Sequence, residues 1–471
     1  MARIDTDICV IGAGSGGLSV AAGAVQMGAR VVLIEAGEMG GDCLNAGCIP
    51  SKALIAAAKA AEAQRRGFRG VAGVTPAVDF GAVKDHVAAV IARIAPVDSQ
   101  ERFESLGCTV IRAFARFTGP REVAAGDTTV RARRFVIATG SRPFVPPIQG
   151  ADRVPYLTNE TIFDLRDRPG HLIVIGGGPI GVEMAQAHRR LGCEVTVIEG
   201  AKTLGREDPE LAAIVTDALC GEGIRLVEGQ PVVRLSGQVG AVEVTLGDGR
   251  QVTGSHLLMA AGRKVALEGM NLEAAGVAYT AKGVAVDARL RSSNRRVYAV
   301  GDAAGGLQFT HVAGWHAGIV IRQAVLGLPA KADPRAIPRV TYSDPELAHV
   351  GLTEAEARAA HGAALTIVRA EFAHNDRAQA EAKAIGLIKV VVVRGRPVGA
   401  TLVGPQAGEL IGLWALAISS RLKMSAIAGM VAPYPTLGEV SKRAAGAYFG
   451  PQLFDSPALK RLVGLVQRWV P

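Results

Sequence analysis

The sequence predicts an α/β protein, and three observations carry that prediction. A glycine fingerprint at the end of an apolar strand occurs twice. Strand-sized and helix-sized runs alternate through both regions that contain it. A proline-spaced stretch, ADPRAIPRV, separates these regions from the C-terminal part. Such alternation is what a parallel sheet covered by helices requires. At 471 residues the chain is also too long for a single core, so about three domains are expected.

The first copy reads ICVIGAGSGGLSVAAGAVQMGARVVLIEAG. An apolar strand leads into Gly12, Gly14 and Gly17, then a small-residue helix, then a strand ending at Glu35. The glycines permit a tight turn, close approach to a pyrophosphate and close helix–strand packing. The helix N-terminus offers free N–H groups to phosphate, and the acid accepts ribose hydroxyls. The second copy, LIVIGGGPIGVEMAQAHRRLGCEVTVIEG, supplies Gly176, Gly178, Gly181 and Glu199 with the same spacing from first glycine to acid. One such glycine run is a weak signal. Two, each with strand, helix and acid, predict two Rossmann-like domains and two bound dinucleotides, and a nicotinamide hydride carrier beside a flavin is the economical pairing. Glu199 would accept bonds from free ribose hydroxyls and repel a 2′-phosphate, which favours NAD(H). Lys202 and Arg206, close by in sequence, could soften that repulsion and admit NADP(H).

Composition excludes several classes. Hydrophobic residues make up 49% and glycine occupies 58 positions, as suits a glycine-rich α/β protein. The net charge is +9, but the basic residues are scattered and aromatics are only 4%, so no nucleic-acid partner is expected. No stretch reaches the roughly 18–20 apolar residues of a membrane span. The N-terminus runs directly into a strand rather than a signal peptide, and six cysteines do not make a secreted disulfide framework. A cytoplasmic location is expected. Cys9, Cys108, Cys193 and Cys220 read as small buried filler.

Cys43 and Cys48 stand apart from those four, in GGDCLNAGCIPSK. In a regular helix, Cα atoms five apart lie about 8–9 Å from each other, beyond the disulfide reach of about 7 Å. If the two pair, the segment must bend, and Gly47 supplies a flexible point. Pro50 suits the first turn of the following helix, SKALIAAAKAAEAQ. Cys48 then sits just ahead of that helix, where the positive end of the dipole favours a thiolate. No second CxxC or histidine pair is near, so no zinc or other metal site is predicted. Two unrelated thiols remain the alternative.

The segment GGDCLNAGCIPSKAL resembles the active-site segment of the pyridine nucleotide–disulfide oxidoreductases, which include dihydrolipoamide dehydrogenase, glutathione reductase and mercuric reductase. The resemblance extends over nearly the whole chain, through ATGSRP, VYAVGDAA, FTHVAGWHAG, DPELAHVGLTEAEA and LVGPQAGELI. It implies FAD held by the first fingerprint together with Gly41, Lys52, Ala115, Thr139, Gly140 and Ser141. Asp302 would bind the ribitol, and Thr310, His311 and Ala313 would lie beneath the flavin. Gly262 would serve the nicotinamide nucleotide. Cys48 would be the thiolate next to the flavin and Cys43 the exposed thiol that attacks substrate, with Lys52 paired to Glu183. The layout implied is FAD binding over 1–150, NAD(H) binding over 151–275, an FAD return segment over 276–337, and an α+β dimerisation domain over 338–471 that makes a homodimer.

Two segments depart from the family pattern. The lipoamide and glutathione enzymes carry a His-Pro-Thr motif followed by Glu, whose histidine reaches the partner's cysteines as acid–base. Here VAPYPTLGEV puts Tyr434 at that place and keeps Glu439, a carboxylate expected to take the phenol hydrogen. Mercuric reductase shares the Pro-Tyr but adds a C-terminal cysteine pair, and no cysteine follows Cys220 here. GRKVAL, from Gly262, lacks the usual Pro and Asn. Trp315 and His316 suit either flavin packing or an entry for a metal ion. The segment SPALKRLVGLVQRWVP spaces its apolar residues as an amphipathic helix that could touch an anionic membrane or dock onto the dimer. The expected acceptor is a small disulfide, a metal ion or a quinone. The competing readings are a flavin-level quinone reductase or transhydrogenase with spectator cysteines, and a redox-sensing flavoprotein.

Overall fold

The structure, a computed structural model, describes residues 2–470. They form two compact units, one comprising the chain to Gly200 with Arg225–Asp333, the other Ala201–Ile224 with the chain from Pro334.

The first unit holds both fingerprints. Strand β1 (Ala2–Ile11) lies between β2 (Val31–Glu35) and β6 (Thr128–Ile137), all parallel. β3 (Thr109–Arg112) extends the sheet on one side, and β5 (Glu122–Ala125) and β4 (Ala115–Gly119) extend it on the other. The strand Val297–Ala299 also pairs with β6, so the return segment rejoins the first sheet. Alternate residues of β1 serve opposite cores, as a pleated strand buried on both faces must. Ile8 and Val10 pack with helix α1 (Ser15–Gln26), while Cys9 and Ile11 pack with Phe117 and Phe135. The second fingerprint sits in a parallel sheet of four strands, Arg225–Glu228, Glu194–Glu199, His171–Ile175 and His256–Met259.

The second unit is built on an antiparallel five-stranded sheet, with Pro338–Thr341 and Leu365–Glu371 at its edges. Helix Ala407–Ser419 buries Trp414 in its core, and the indole N–H donates to Ser441 at 3.0 Å. Ala201–Ile224, inside the span 151–275 expected for NAD(H) binding, groups with this unit. Helix Pro209–Gly221 packs on strands Glu346–Gly351 and Arg396–Gly404. Ion pairs add to this: Lys389 Nζ lies 2.8 Å from Asp208 and 2.9 Å from Glu210, as well as 2.6 Å from Glu354 of its own stretch of chain, and Arg339 meets Glu207 at 2.9 Å.

Cys9, Cys108 and Cys193 are buried, but Cys220 is exposed, against the expectation of buried filler. Its helix, Pro209–Gly221, buries Leu211, Ala212, Val215 and Leu219, and position 220 turns off that face. The C-terminal helix Pro457–Trp469 buries none of its residues, and Leu462, Val463, Val466 and Trp469 are exposed. Among the described residues no helix is long and apolar enough to cross a membrane.

Candidate active site

The two fingerprints fold alike because each local step has one solution. Gly12 and Gly176 adopt φ of +104° and +114°, and a Cβ on Gly17 or Gly181 would lie 1.8 or 1.9 Å from the carbonyl oxygen of the first glycine. Only glycine fits such an approach. Each acid at the strand end turns back on this loop. Glu35 Oε2 accepts from Ala13 N–H at 2.5 Å and Glu199 Oε2 from Gly177 N–H at 2.7 Å, the same position in each copy. Neither following helix has a side-chain cap at Gly14 or Gly178, so first-turn N–H groups face outward from both.

The remaining residues assigned to FAD gather at the first fingerprint, with one exception. Gly41 backs onto Gly14, and its added Cβ would come within 2.7 Å of that Cα. Ala313 packs against Gly16 and Gly301. Gly140 and Gly262 hold φ of +69° and +123° beside open space. The Thr139 hydroxyl is buried without a partner, an unmet polar group suited to a bound cofactor. Asp302 accepts from Ser141 Oγ at 2.5 Å, and burial raises its carboxyl above the ordinary range. His311 stacks on Phe309 at 5.2 Å. Ala115 is the exception, with its methyl group in the apolar core beside Phe117. This donor set fits an FAD held by the first fingerprint and a nicotinamide nucleotide held by the second.

The cysteine segment does bend. Helix α2 (Gly41–Asn45) carries Cys43, the chain breaks at Ala46 and Gly47, and α3 (Cys48–Arg66) begins on Cys48 itself. Cys48 is therefore the first helical residue rather than a residue ahead of the helix. Pro50 falls in the first turn, where a missing N–H costs nothing. A Cβ on Gly47 would meet the Asp42 carbonyl oxygen at 2.8 Å and its carboxylate at 2.9 Å, so this break needs glycine.

Cys48 Sγ lies 3.2 Å from Thr310 Oγ1 and shares a hydrogen bond with Cys43. The bond from Cys43 pulls the Cys48 thiol down to about 6, with help from Thr310 and the Lys52 ammonium and against burial and Asp42. That bond and burial push the Cys43 thiol up. The thiolate therefore belongs to Cys48. In the chain alone Cys48 is exposed and Cys43 half-buried; a flavin seated as the family resemblance implies would cover Cys48. Lys52, one turn along α3, forms an ion pair with Glu183 at 2.8 Å.

Three further residues join this site. The Arg263 guanidinium donates to Ser141 Oγ at 2.7 Å and to the Ser141 carbonyl at 2.9 Å, and it meets Asp42 Oδ1 at 3.2 Å. Asn159 donates to Asp42 Oδ1 at 2.9 Å and to the Ala46 carbonyl at 3.1 Å. Asp42 and Arg263 adjoin Cys43 and Gly262 in sequence, which was the available signal; nothing local marks Asn159.

In the second unit, the Tyr434 phenol is exposed and donates to Asp376 Oδ2 at 3.0 Å rather than to Glu439. That bond raises the phenol above its ordinary range. Glu439 opens helix Glu439–Phe454, with one buried carboxylate oxygen lacking a partner.

The sequence profile described as "Pyridine nucleotide-disulphide oxidoreductase" matches residues 6–317, and that of the family's dimerisation domain matches 337–445. A mercuric reductase of Streptomyces lividans is 36% identical over 456 residues, covering 94% of this chain and 96% of the relative. A dihydrolipoyl dehydrogenase of Thermus scotoductus is 37% identical over 462 residues, covering 94% and 97%. Among solved structures, the Cu(II) complex of a HOCl-induced flavoprotein disulfide reductase from Escherichia coli superposes with a TM-score of 0.85 at 27% identity, covering 94% of this chain and 99% of that one. With matches across both its dinucleotide-binding and dimerisation parts, the chain belongs to the pyridine nucleotide–disulphide oxidoreductase family and is an oxidoreductase of that family.

Proposed function

We propose that the enzyme takes two electrons from NADH and passes them through the Cys43–Cys48 pair to a metal ion or a small disulfide. The family is FAD-dependent and uses NAD(P)H. Bound FAD supplies the two-electron relay between nicotinamide and sulfur. The carrying observation is Cys48 at the first position of α3, bonded to Cys43 and Thr310, with the Lys52–Glu183 pair one turn on. A helix N-terminus, a thiol donor and a nearby cation all hold a thiolate.

The chain's residues divide the work as follows. Cys43 and Cys48 cycle between disulfide and dithiol, Cys48 holding the thiolate on the side that FAD would cover and Cys43, as in the family it resembles, meeting the acceptor. Lys52 keeps positive charge beside them, and Glu183 fixes its ammonium. With a disulfide acceptor, NADH, one proton and RSSR give NAD⁺ and two RSH. With copper, NADH and two Cu²⁺ give NAD⁺, two Cu⁺ and one proton. Mercuric reductases among the relatives and the Cu(II) complex of the E. coli protein support a metal acceptor. Tyr434 supports it too, since metal ions need no strong base. Glu199, turned into the second fingerprint loop, supports NADH over NADPH.

Anaerobic titration with each nucleotide, followed by lipoamide, glutathione disulfide, Hg²⁺, Cu²⁺ and quinones, tests this reading. NADH should reduce the enzyme at higher specificity than NADPH, and a thiol-reactive acceptor should turn over fastest. Full turnover by a Cys43→Ser, Cys48→Ser double variant would replace this reading with flavin-level quinone reduction.

A further inference from the structure

We propose that Arg263 is a positioning residue for the redox pair. Its guanidinium holds Asp42 away from the sulfurs' electrostatic balance and ties the Cys43 helix to the Asp302 loop. The proposal rests on Cys43 and Cys48 being the working sulfurs. It does not depend on which acceptor they reduce.

The geometry places one cation between two acids that serve different ends of the site. On one side Arg263 reaches Asp42 at 3.2 Å, the residue immediately before Cys43. On the other it grips Ser141 through hydroxyl and carbonyl, and that hydroxyl donates to Asp302. The Arg263 side chain is only 13% exposed, so its charge is poorly screened. Fixed donors on a planar guanidinium make this a brace that a lysine would not reproduce. Asn159 completes it by pinning both Asp42 and the Ala46 carbonyl, at the break between the two helices.

Asp42 is an acid that acts against a thiolate at Cys48. The other groups facing Cys48 are the Cys43 thiol, Thr310 and Lys52, all of which favour its charge, and Lys52 is itself held by Glu183. Cancelling Asp42 with Arg263 therefore protects the thiolate. Removing Arg263 leaves a part-buried carboxylate uncompensated beside it, and a like charge raises a neighbouring acid's pKa.

The test is the pH dependence of Cys48 alkylation in the reduced, FAD-loaded enzyme, read by iodoacetamide labelling and peptide mass spectrometry. Arg263→Met should raise the midpoint by about one pH unit. Asp42→Asn should lower it or leave it unchanged. In the Asp42→Asn background, Arg263→Met should have little further effect, which a purely structural brace would not produce. Arg263→Lys should fall between wild type and Arg263→Met, keeping the charge but losing the fork. Equal shifts from Arg263→Met in both backgrounds, or FAD loss with an unchanged midpoint, would overturn the electrostatic role. Should Arg263→Met not fold, Arg263→Lys and Asp42→Asn decide the matter: a raised midpoint in Arg263→Lys with a lowered or unchanged one in Asp42→Asn supports the proposal, and any other pairing refutes it.

Discussion

Cys43 and Cys48 have the same side chain and opposite acidities, and the difference comes from position alone. Cys48 begins a helix and accepts hydrogen bonds, while Cys43 donates one. The folded Cys48 thiol titrates near 6, below its ordinary value of 9.0. The thiolate is therefore populated above pH 6 and lost as pH falls through it. In the two-electron-reduced holoenzyme this predicts a long-wavelength thiolate–flavin absorbance that fades with a midpoint near 6. Cys43→Ala removes the largest stabilising bond and should move the midpoint upward. Cys43→Ser keeps a hydroxyl donor and should move it less, and Cys48→Ser should abolish the band. Survival of the band only in Cys48→Ser would reverse the two assignments. How much of this was legible depends on how local each cause is. The thiolate at Cys48 followed from a cysteine before a helix and Pro50. The Asp42–Arg263–Asn159 brace joins residues far apart in sequence, and no spacing rule could unite them.

At the scale of elements, the glycine loops were readable because their requirements lie within a few residues. Gly12 and Gly17 must be glycine for reasons set inside one turn, and the same holds at Gly176 and Gly181. Gly47 belongs with them. Gly47→Ala forces its Cβ into Asp42, an overpacking that typically costs about 1–3 kcal/mol. It should lower Tm and loosen the Cys43–Cys48 geometry, read as slower disulfide re-formation after reduction. Unchanged Tm and re-formation would mean the break adapts freely. The second unit poses the opposite case, since its buried cation was not readable at all. Lys389 is 6% exposed amid Asp208, Glu210 and Glu354, which come from two other stretches of chain. Lys389→Met takes the cation from buried Asp208, while Glu210 keeps Arg369 and Glu354 keeps Arg358, a loss of about 3–5 kcal/mol for breaking a buried pair. Glu210 is held at about 2, by Arg369 first and Lys389 next, against an ordinary 4.5. Its stabilising share is complete above pH 4.5 and lost as pH falls toward 2. The Tm gap between wild type and Lys389→Met should therefore be widest above pH 4.5 and narrow below it. A gap constant with pH would show that packing, not charge, sets the loss.

At the scale of the whole molecule, the dimerisation domain supports a homodimer, which sedimentation at micromolar concentration should show as a species of twice 48.8 kDa. That state matters for Tyr434. By resemblance, its place in the lipoamide and glutathione enzymes holds the histidine that serves the partner's cysteines. Oxidising a dithiol begins with removing its proton, because only the thiolate attacks a disulfide. A histidine base near its ordinary pKa of about 6.5 suits that task, whereas tyrosine starts near about 10. Here the Asp376 bond raises the phenol further, and Glu439 adds to the rise. Tyr434 can thus donate a proton at neutral pH but cannot collect one, and a positioned base typically contributes about 10²–10⁴-fold. Dihydrolipoamide oxidation should be slow in the wild type, while reduction of Cu²⁺ or Hg²⁺, which requires no base, should not suffer. Tyr434→His should raise dihydrolipoamide turnover, with a rate that climbs through pH 6–7 as the imidazole loses its proton. Tyr434→Phe should leave metal reduction intact and give no gain with dihydrolipoamide. Rapid wild-type turnover of dihydrolipoamide, matched by Tyr434→Phe, would mean that another base serves the cysteines and that Tyr434 is an interface residue only.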